Sequence, residues 1–216
     1  MTKELLPAVE IEPAGKPNGS IVWLHGLGAD GHDFEPIVPA LGLDGIRFVF
    51  PHAPQRPVTI NGGMVMRAWY DIKSLDIERN TDVEELDQSR SQLEAWLAHE
   101  RELGIPSDRI VAAGFSQGGA IALYTGLALE ERIGGILALS CYHPRLEAIP
   151  AAEGGLPIFM AHGTHDPIVP IGLAEATLAR LRERGFTPEW HTYPMPHSLS
   201  PPEIDDIGRW LRQRFA

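Results

Sequence analysis

The sequence predicts an α/β fold, in which a mostly parallel sheet carries helices on both faces. Short apolar segments that resemble strands alternate along the chain with longer helix-like segments, as in parallel sheets. Several strand-like segments are apolar at nearly every position, as strands buried on both faces are. The 216 residues are 44% apolar and contain no repeat or linker, so residues 1–216 are expected to form one domain.

Strands are predicted at 20–24, 46–50, 109–114, 135–140, 157–161 and 189–193. Helices are predicted where apolar residues recur at helical spacing: 34–41, 81–103, 117–129, 171–184 and 202–215. The helix at 81–103 is the clearest, because Thr81 and Glu84 form a Thr-x-x-Glu capping box and Gly104 and Pro106 follow its end. The Pro- and Gly-rich stretch 51–63 is predicted to be a long loop, and loops of that length are usually functional.

Composition narrows the classes of partner. Eighteen basic and 29 acidic residues give a formal charge of −11, which repels nucleic acids and anionic lipid headgroups. Cys141, the single cysteine, cannot form an intramolecular disulfide and suits a reducing compartment. Residues 1–13 contain no apolar segment typical of a secretory signal, and no apolar run reaches the roughly 20 residues that cross a bilayer. A cytoplasmic location without stable membrane insertion is therefore expected.

The segment Gly114-Phe-Ser-Gln-Gly118 matches Gly-x-Ser-x-Gly, a pentapeptide that also occurs by chance. Here a predicted strand precedes it and an Ala/Leu-rich helix follows, which is the setting of the nucleophile elbow in α/β-hydrolases. On so sharp a turn, side chains at 114 and 118 would collide with the neighbouring strand and helix. Ser116 is thus the candidate nucleophile. The alternative is a Gly-rich helix start without chemistry.

An activated serine needs a base and a carboxylate that orients the base, and in this fold they follow in the order Ser, Asp, His. Asp166 follows the strand predicted at 157–161, and His197 follows the strand predicted at 189–193. Asp166 could instead only form a turn before Pro167, and His197 could be a hydrogen-bonded loop histidine. His162, His165 and Asp166 could also suggest a metal site, but the two histidines leave a strand instead of sharing a helix face, and no further ligand is evident nearby. A structural His162 in a tight His-Gly turn is favoured, and no metal is expected.

The tetrahedral intermediate of acyl transfer needs backbone N–H donors where negative charge develops. The residue after the nucleophile, Gln117, supplies one candidate donor. The strand predicted at 20–24 runs into His25-Gly-Leu-Gly28, where the N–H of Leu27 is the second candidate. The glycines on either side allow this loop to turn close to the serine.

The whole chain resembles the phospholipase/carboxylesterase family, which includes bacterial carboxylesterases and acyl-protein thioesterases. The resemblance rests on motifs in the same order: Trp-Leu-His-Gly-Leu-Gly-Ala-Asp at 23–30 with Asp-Phe at 33–34, Pro-His-Ala-Pro at 51–54, Asn-Gly-Gly-Met at 61–64, Ala-Trp-Tyr-Asp at 68–71, Gly-Phe-Ser-Gln-Gly-Gly at 114–119, Leu-Ser-Cys-Tyr at 139–142, His-Gly-Thr-His-Asp-Pro-Ile-Val-Pro at 162–170 and Tyr-Pro-Met-Pro-His at 193–197. It implies a cofactor-free esterase with Ser116, Asp166 and His197 as triad and Leu27 and Gln117 as oxyanion donors. Pro196 departs from the family, which usually has glycine there, so the shape of the loop before His197 is open.

The segment 57–74 contains apolar residues that are expected to be exposed near the catalytic edge. Such residues could bind the acyl chain of a substrate. The family resemblance places an acyl-binding flap in this region. We assign Met64, Val65 and Trp69 to substrate binding. Trp69 could equally anchor the segment to the domain.

Taken together, the sequence predicts a serine carboxylesterase that hydrolyses carboxylic esters, and also acyl thioesters or lysophospholipids, through an acyl-enzyme. A lactone hydrolase or peptidase with the same triad is one alternative. A binding module of the same fold without turnover is another. A small ester or thioester is the expected partner, and the sequence is compatible with either a monomer or a homodimer.

Overall fold

A computed structural model describes residues 5–73 and 82–216 of the chain. Its main sheet contains seven strands: β1 (Ala8–Ile11), β2 (Gly19–Leu24), β3 (Ile46–Pro51), β6 (Ile110–Phe115), β7 (Gly135–Leu139), β8 (Ile158–Gly163) and β9 (Glu189–Tyr193). Their order across the sheet is β1-β3-β2-β6-β7-β8-β9. The pairing of β1 with β3 is antiparallel, and the other five pairings are parallel. All six predicted strands are confirmed to within two residues at either end.

The described part of the chain also forms five α-helices: α1 (Val38–Leu41), α2 (Val83–Glu102), α3 (Gln117–Gly126), α4 (Ile171–Glu183) and α5 (Pro201–Phe215). The predicted helix at 34–41 is a 3-10 turn, Glu35–Ile37, that leads into α1. Within the described residues, no helix is both long enough and apolar enough to span a bilayer. Thr81 lies outside the described residues, and the N-cap of α2 is Asp82, whose side chain accepts a hydrogen bond from the Glu84 N–H.

Helices cover both faces of the sheet, because alternate side chains of each strand point in opposite directions. Val22 and Leu24 of β2 pack in the cluster formed with α2, α3 and α4. Ile21 and Trp23 of the same strand pack in the second cluster, on the side of α1 and α5. Both clusters contain fully buried strand residues, so the sheet is a rigid base for the loops at its edge.

The predicted loop at 51–63 is partly wrong, because the structure forms a hairpin there. Two strands, β4 (Gln55–Val58) and β5 (Met64–Arg67), pair antiparallel with Val58 opposite Met64. Gly62 and Gly63 make the turn with φ of 68° and 78°, values that favour glycine. The prediction missed the hairpin because Pro57 is unusual in strands, and an isolated hairpin can hold a proline on its edge.

Candidate active site

Ser116 lies between the end of β6 and the start of α3, at the turn that the sequence predicted. Its backbone has φ 54° and ψ −120°, a conformation that non-glycine residues rarely adopt. The Ser116 N–H donates to the carbonyl of Leu139 at 2.8 Å, and the Ser116 carbonyl accepts the first hydrogen bond of α3 from Ala120. Backbone strain that is maintained by surrounding hydrogen bonds is frequent at functional sites.

Close packing of the backbone explains the glycines around Ser116. A Cβ on Gly114 would lie 2.3 Å from the Gly118 backbone, and a Cβ on Gly118 would lie 2.3 Å from the Leu24 carbonyl. A Cβ on Gly119 would lie 2.7 Å from Cys141 Sγ. Each distance is far below van der Waals contact, so a glycine is needed at each position for this turn to form.

Asp166 and His197 meet as the sequence predicted. His197 Nδ1 lies 2.6 Å from Asp166 Oδ2, and the Asp166 side chain is fully buried. Asp166 Oδ1 accepts hydrogen bonds from the N–H groups of Ile168 and Val169, at 2.9 and 2.8 Å. This carboxylate is therefore held in place and can orient the imidazole so that Nε2 is available on the opposite side of the ring.

Backbone contacts dock the two loops that carry these residues. The His165 N–H donates to the Met195 carbonyl at 3.1 Å, and the Thr164 N–H donates to the Tyr193 carbonyl at 2.8 Å. A Cβ on Gly163 would lie 2.3 Å from the Met195 carbonyl oxygen, so the loops approach closely only because residue 163 is glycine. The Pro196 carbonyl accepts a hydrogen bond from the Ser198 N–H at 2.9 Å, so the chain turns directly at His197.

The link from His197 to Ser116 is less complete. The Phe115 ring lies against the His197 imidazole, with 4.7 Å between ring centroids, which places His197 beside the elbow. Among the residues that the structure describes, neither Ser116 Oγ nor His197 Nε2 makes a hydrogen bond. Hydrogen bonds of this kind are often long in a free enzyme and tighten with substrate bound.

The two candidate oxyanion donors lie on either side of Ser116. The Gln117 N–H is at the N-terminus of α3, where the first N–H groups of a helix have no partner within it. Leu27 follows Gly26, where an added Cβ would lie 3.4 Å from Ser116 Cβ. Neither N–H is used in a hydrogen bond within 5–73 and 82–216. Both groups are available to a ligand.

A cavity of about 310 Å³ opens beside Ser116. Its walls are formed by residues from five separate segments: Leu27, Ile60, Asn61, Tyr70, Ile72, Ser116, Gln117, Tyr142, Pro167, Ile168 and Val169. Tyr70 belongs to the segment 57–74 that the sequence linked to an acyl chain, whereas Tyr142 and the residues at 167–169 were not predicted to line a pocket. The only signal for the latter was their position next to Cys141 and Asp166.

The three residues predicted to bind substrate do not line this cavity. Met64 and Val65 lie on the exposed hairpin, with 64% and 61% of their surface accessible. Trp69 is fully buried, and its indole N–H donates to the His25 carbonyl at 2.9 Å. The position of Trp69 is that of an anchor, the alternative that the sequence left open.

The Gln117 side chain ties the segment after the hairpin to the elbow. Its Oε1 accepts from the Trp69 N–H and its Nε2 donates to the Tyr70 carbonyl, both at 2.7 Å. Ser89 Oγ of α2 donates to the Trp69 carbonyl. The backbone at 69–70 is thus fixed from two sides, and Tyr70 is held against the cavity.

His162 packs behind the candidate triad. Its Nε2 lies 2.8 Å from the Val169 carbonyl and 3.4 Å from Asp166 Oδ2. Burial lowers the pKa of His162, so the ring is neutral at physiological pH. With its Nε2 donating to Val169, this ring supports the loop around Asp166 and has the structural role that the sequence favoured.

The sheet order, the strained serine and the Asp166–His197 pair define the chain as an α/β-hydrolase. The sequence profile of the phospholipase/carboxylesterase family matches residues 7–214. The chain belongs to this family, as its motifs indicated.

Relatives within the family align with this chain over nearly its full length. The chain is 37% identical to acyl-protein thioesterase 1 of Neurospora crassa, over 97% of this chain and 92% of that relative. The crystal structure of Zea mays acyl-protein thioesterase 2 superposes with a TM-score of 0.88 at 26% identity, covering 98% of this chain and 100% of that one. Arabidopsis thaliana SOBER1 gives a TM-score of 0.84 at 32% identity, covering 92% and 99%.

Proposed function

We propose that this chain is a serine hydrolase of carboxylic esters and acyl thioesters, with Ser116 as nucleophile, His197 as general base and Asp166 as the residue that orients His197. The observation that carries the proposal is the 2.6 Å contact between Asp166 and His197 beside the strained Ser116 turn. The family and the thioesterase relatives support the class of reaction.

Hydrolysis proceeds in two steps in this proposal. Ser116 Oγ attacks the carbonyl carbon while its proton passes to His197 Nε2, and the N–H groups of Leu27 and Gln117 stabilise the oxyanion. The tetrahedral intermediate then breaks its bond to the alcohol or thiol, which leaves with the proton from His197. A water molecule attacks the acyl-enzyme in the same way and releases the acid and Ser116.

No other group is required for this chemistry, so the proposal includes no metal or cofactor. Met64 and Val65 are proposed to contact only substrate that extends beyond the cavity, because they lie on the exposed hairpin. One copy of the chain carries every residue of the proposed site, so activity does not depend on a homodimer. The charge of −11 and the buried, free Cys141 support a cytoplasmic enzyme that acts on small molecules and not on nucleic acids.

The test compares Ser116→Ala with Ser140→Ala in the hydrolysis of 4-nitrophenyl butyrate. Ser140 is a matched control, because it is also a serine with positive φ (46°) at a strand end, but it is fully buried. We expect S116A to lower kcat by at least about 10⁴-fold, since a triad serine supplies the nucleophile. S140A should stay within a few-fold of the unmodified protein.

Circular dichroism of both variants shows whether they are folded. Folded S116A with nearly full activity would contradict the proposal. A loss of activity in S140A as large as in S116A would also contradict it, because the effect would then not depend on the hydroxyl at 116.

A further inference from the structure

The cavity beside Ser116 has exposed side chains at its mouth and two tyrosines at its inner end. Ile60 and Ile168 at the mouth are 38% and 63% exposed. Tyr70 and Tyr142 line the same cavity but are only 2% and 9% exposed, so they form its inner end. A cavity made only to hold an alkyl chain has no need for two hydroxyl groups at its closed end, because burying such groups without partners costs free energy.

The two hydroxyls can satisfy each other only in part. Burial raises the pKa of both phenols, that of Tyr142 to about 12, and the two side chains also interact with each other, so both keep their protons. Each hydroxyl carries one proton, so a pair uses one O–H between its members and leaves the other O–H to donate elsewhere. In the part of the chain that the structure describes, no other side chain or backbone group accepts from either hydroxyl.

The position of His197 decides which half of a substrate occupies the cavity. In the proposed mechanism the leaving group takes its proton from His197, so it departs beside that imidazole. His197 does not line the cavity, whereas Ser116, Leu27 and Gln117 do. The acyl group therefore lies in the cavity and points its far end at the two tyrosines.

Size and charge restrict this acyl group further. At about 310 Å³ the cavity is at the lower end of the range for ligand pockets, which favours a short acyl group. Of the described residues that line it, none is charged. An acyl group with a carboxylate or ammonium at its end would have no counter-ion there, and a neutral group would be preferred.

We propose that Tyr70 and Tyr142 select short, neutral acyl groups that carry a hydrogen-bond-accepting oxygen near their far end, so that esters or thioesters of short oxo- and hydroxyacids are the preferred substrates. This inference rests on the proposed function. Tyr70 is held in place for this role by its carbonyl, which accepts from Gln117 Nε2 at 2.7 Å.

The test measures kcat/KM for 4-nitrophenyl 5-oxohexanoate and 4-nitrophenyl hexanoate, each divided by its rate constant for hydrolysis by hydroxide. For the unmodified protein we expect the oxo ester to be favoured by at least about five-fold, the usual effect of one hydrogen bond. Tyr70→Phe and Tyr142→Phe, measured separately, should each remove most of this preference and raise kcat/KM for hexanoate.

Tyr124→Phe is the matched control, because Tyr124 bonds Asp87 through its hydroxyl and does not line the cavity. The preference should be unchanged in Y124F. A preference near one in the unmodified protein, or one that both phenylalanine variants retain, would overturn this inference while ester hydrolysis itself supported the proposed function. Hydrolysis of neither ester would overturn both.

Discussion

The turn at Ser116 and the hairpin β4–β5 border the same catalytic edge but are built in opposite ways. At the turn, Gly114 and Gly118 leave no space for a single additional carbon atom. On the hairpin, Gly62 and Gly63 have nothing within 4 Å of an added Cβ, and Met64 and Val65 are exposed. The chemistry is thus placed by close-packed backbone, whereas the tip of the hairpin, residues 62–65, has no such packing.

This difference separates two kinds of constraint. A residue whose replacement would displace the backbone is determined by the fold as well as by the reaction. A residue on the exposed hairpin is restricted only by what binds there. The specificity of the enzyme can therefore change through the cavity and the hairpin without change to the triad.

The largest effect is expected for Gly118→Ala. Its Cβ would lie 2.3 Å from the Leu24 carbonyl and 2.6 Å from the His25 carbonyl, so the free energy of unfolding should fall by more than about 4 kcal/mol. Gly63→Ala meets no neighbour and has only the cost of its φ of 78°, about 1 kcal/mol. Urea unfolding of the two variants makes the comparison, and equal losses would contradict it.

An intermediate effect, dependent on pH, is expected from Glu203→Gln in the first turn of α5. Glu203 is fully buried, and burial raises its pKa from 4.5 to about 8. Between these values the folded protein keeps a proton that the unfolded chain loses, so the stability of the unmodified protein falls as pH rises from about 4.5 to about 8.

Glutamine carries no such proton and has a similar shape. E203Q and the unmodified protein should therefore have similar Tm values near pH 4.5, and E203Q should be the more stable by at least about 3 °C at pH 8. Thermal unfolding followed by circular dichroism at several pH values measures this difference. A Tm difference that does not change with pH would show that Glu203 does not titrate in this range.

The smallest effect is expected for the double replacement of Met64 and Val65 by serine. Both side chains are largely exposed, so the free energy of unfolding should change by less than about 1 kcal/mol. Activity on 4-nitrophenyl acetate should be unchanged, while KM for esters too long for the cavity should rise. A loss of kcat on acetate would mean that the hairpin takes part in the chemistry.

The sequence predicted the parts of the molecule that leave a local signal. Several of the parallel strands are apolar at nearly every position, and Ser116, Asp166 and His197 each follow a strand in the order that the fold requires. The geometry now shows Asp166 and His197 in contact, while their catalytic roles stay a prediction. Leu27 and Gln117 were predicted for the same reason, and their N–H groups have no hydrogen-bond partner among the residues that the structure describes.

Features that depend on contacts between distant segments could not be predicted. The edge strand β1 has only four residues and is half-buried. Its sequence therefore lacks the long apolar run from which the other strands were predicted. Tyr70 and Tyr142, which lie 72 positions apart in sequence, meet at the inner end of the cavity. The hydrogen bond from Gln117 Nε2 that positions Tyr70 could be found only from the structure. Trp69 shows the same limit, because sequence could not decide between a substrate contact and a buried anchor.

The most direct test of the account is the rate at which a fluorophosphonate modifies the protein, followed by intact mass and by mapping of the modified peptide. We predict one adduct, on Ser116, in the unmodified protein, and an adduct at the same residue that forms at least about 10³-fold more slowly in Asp166→Asn. Modification at another residue, or equal rates for the two proteins, would contradict the claim that Asp166 and His197 activate Ser116.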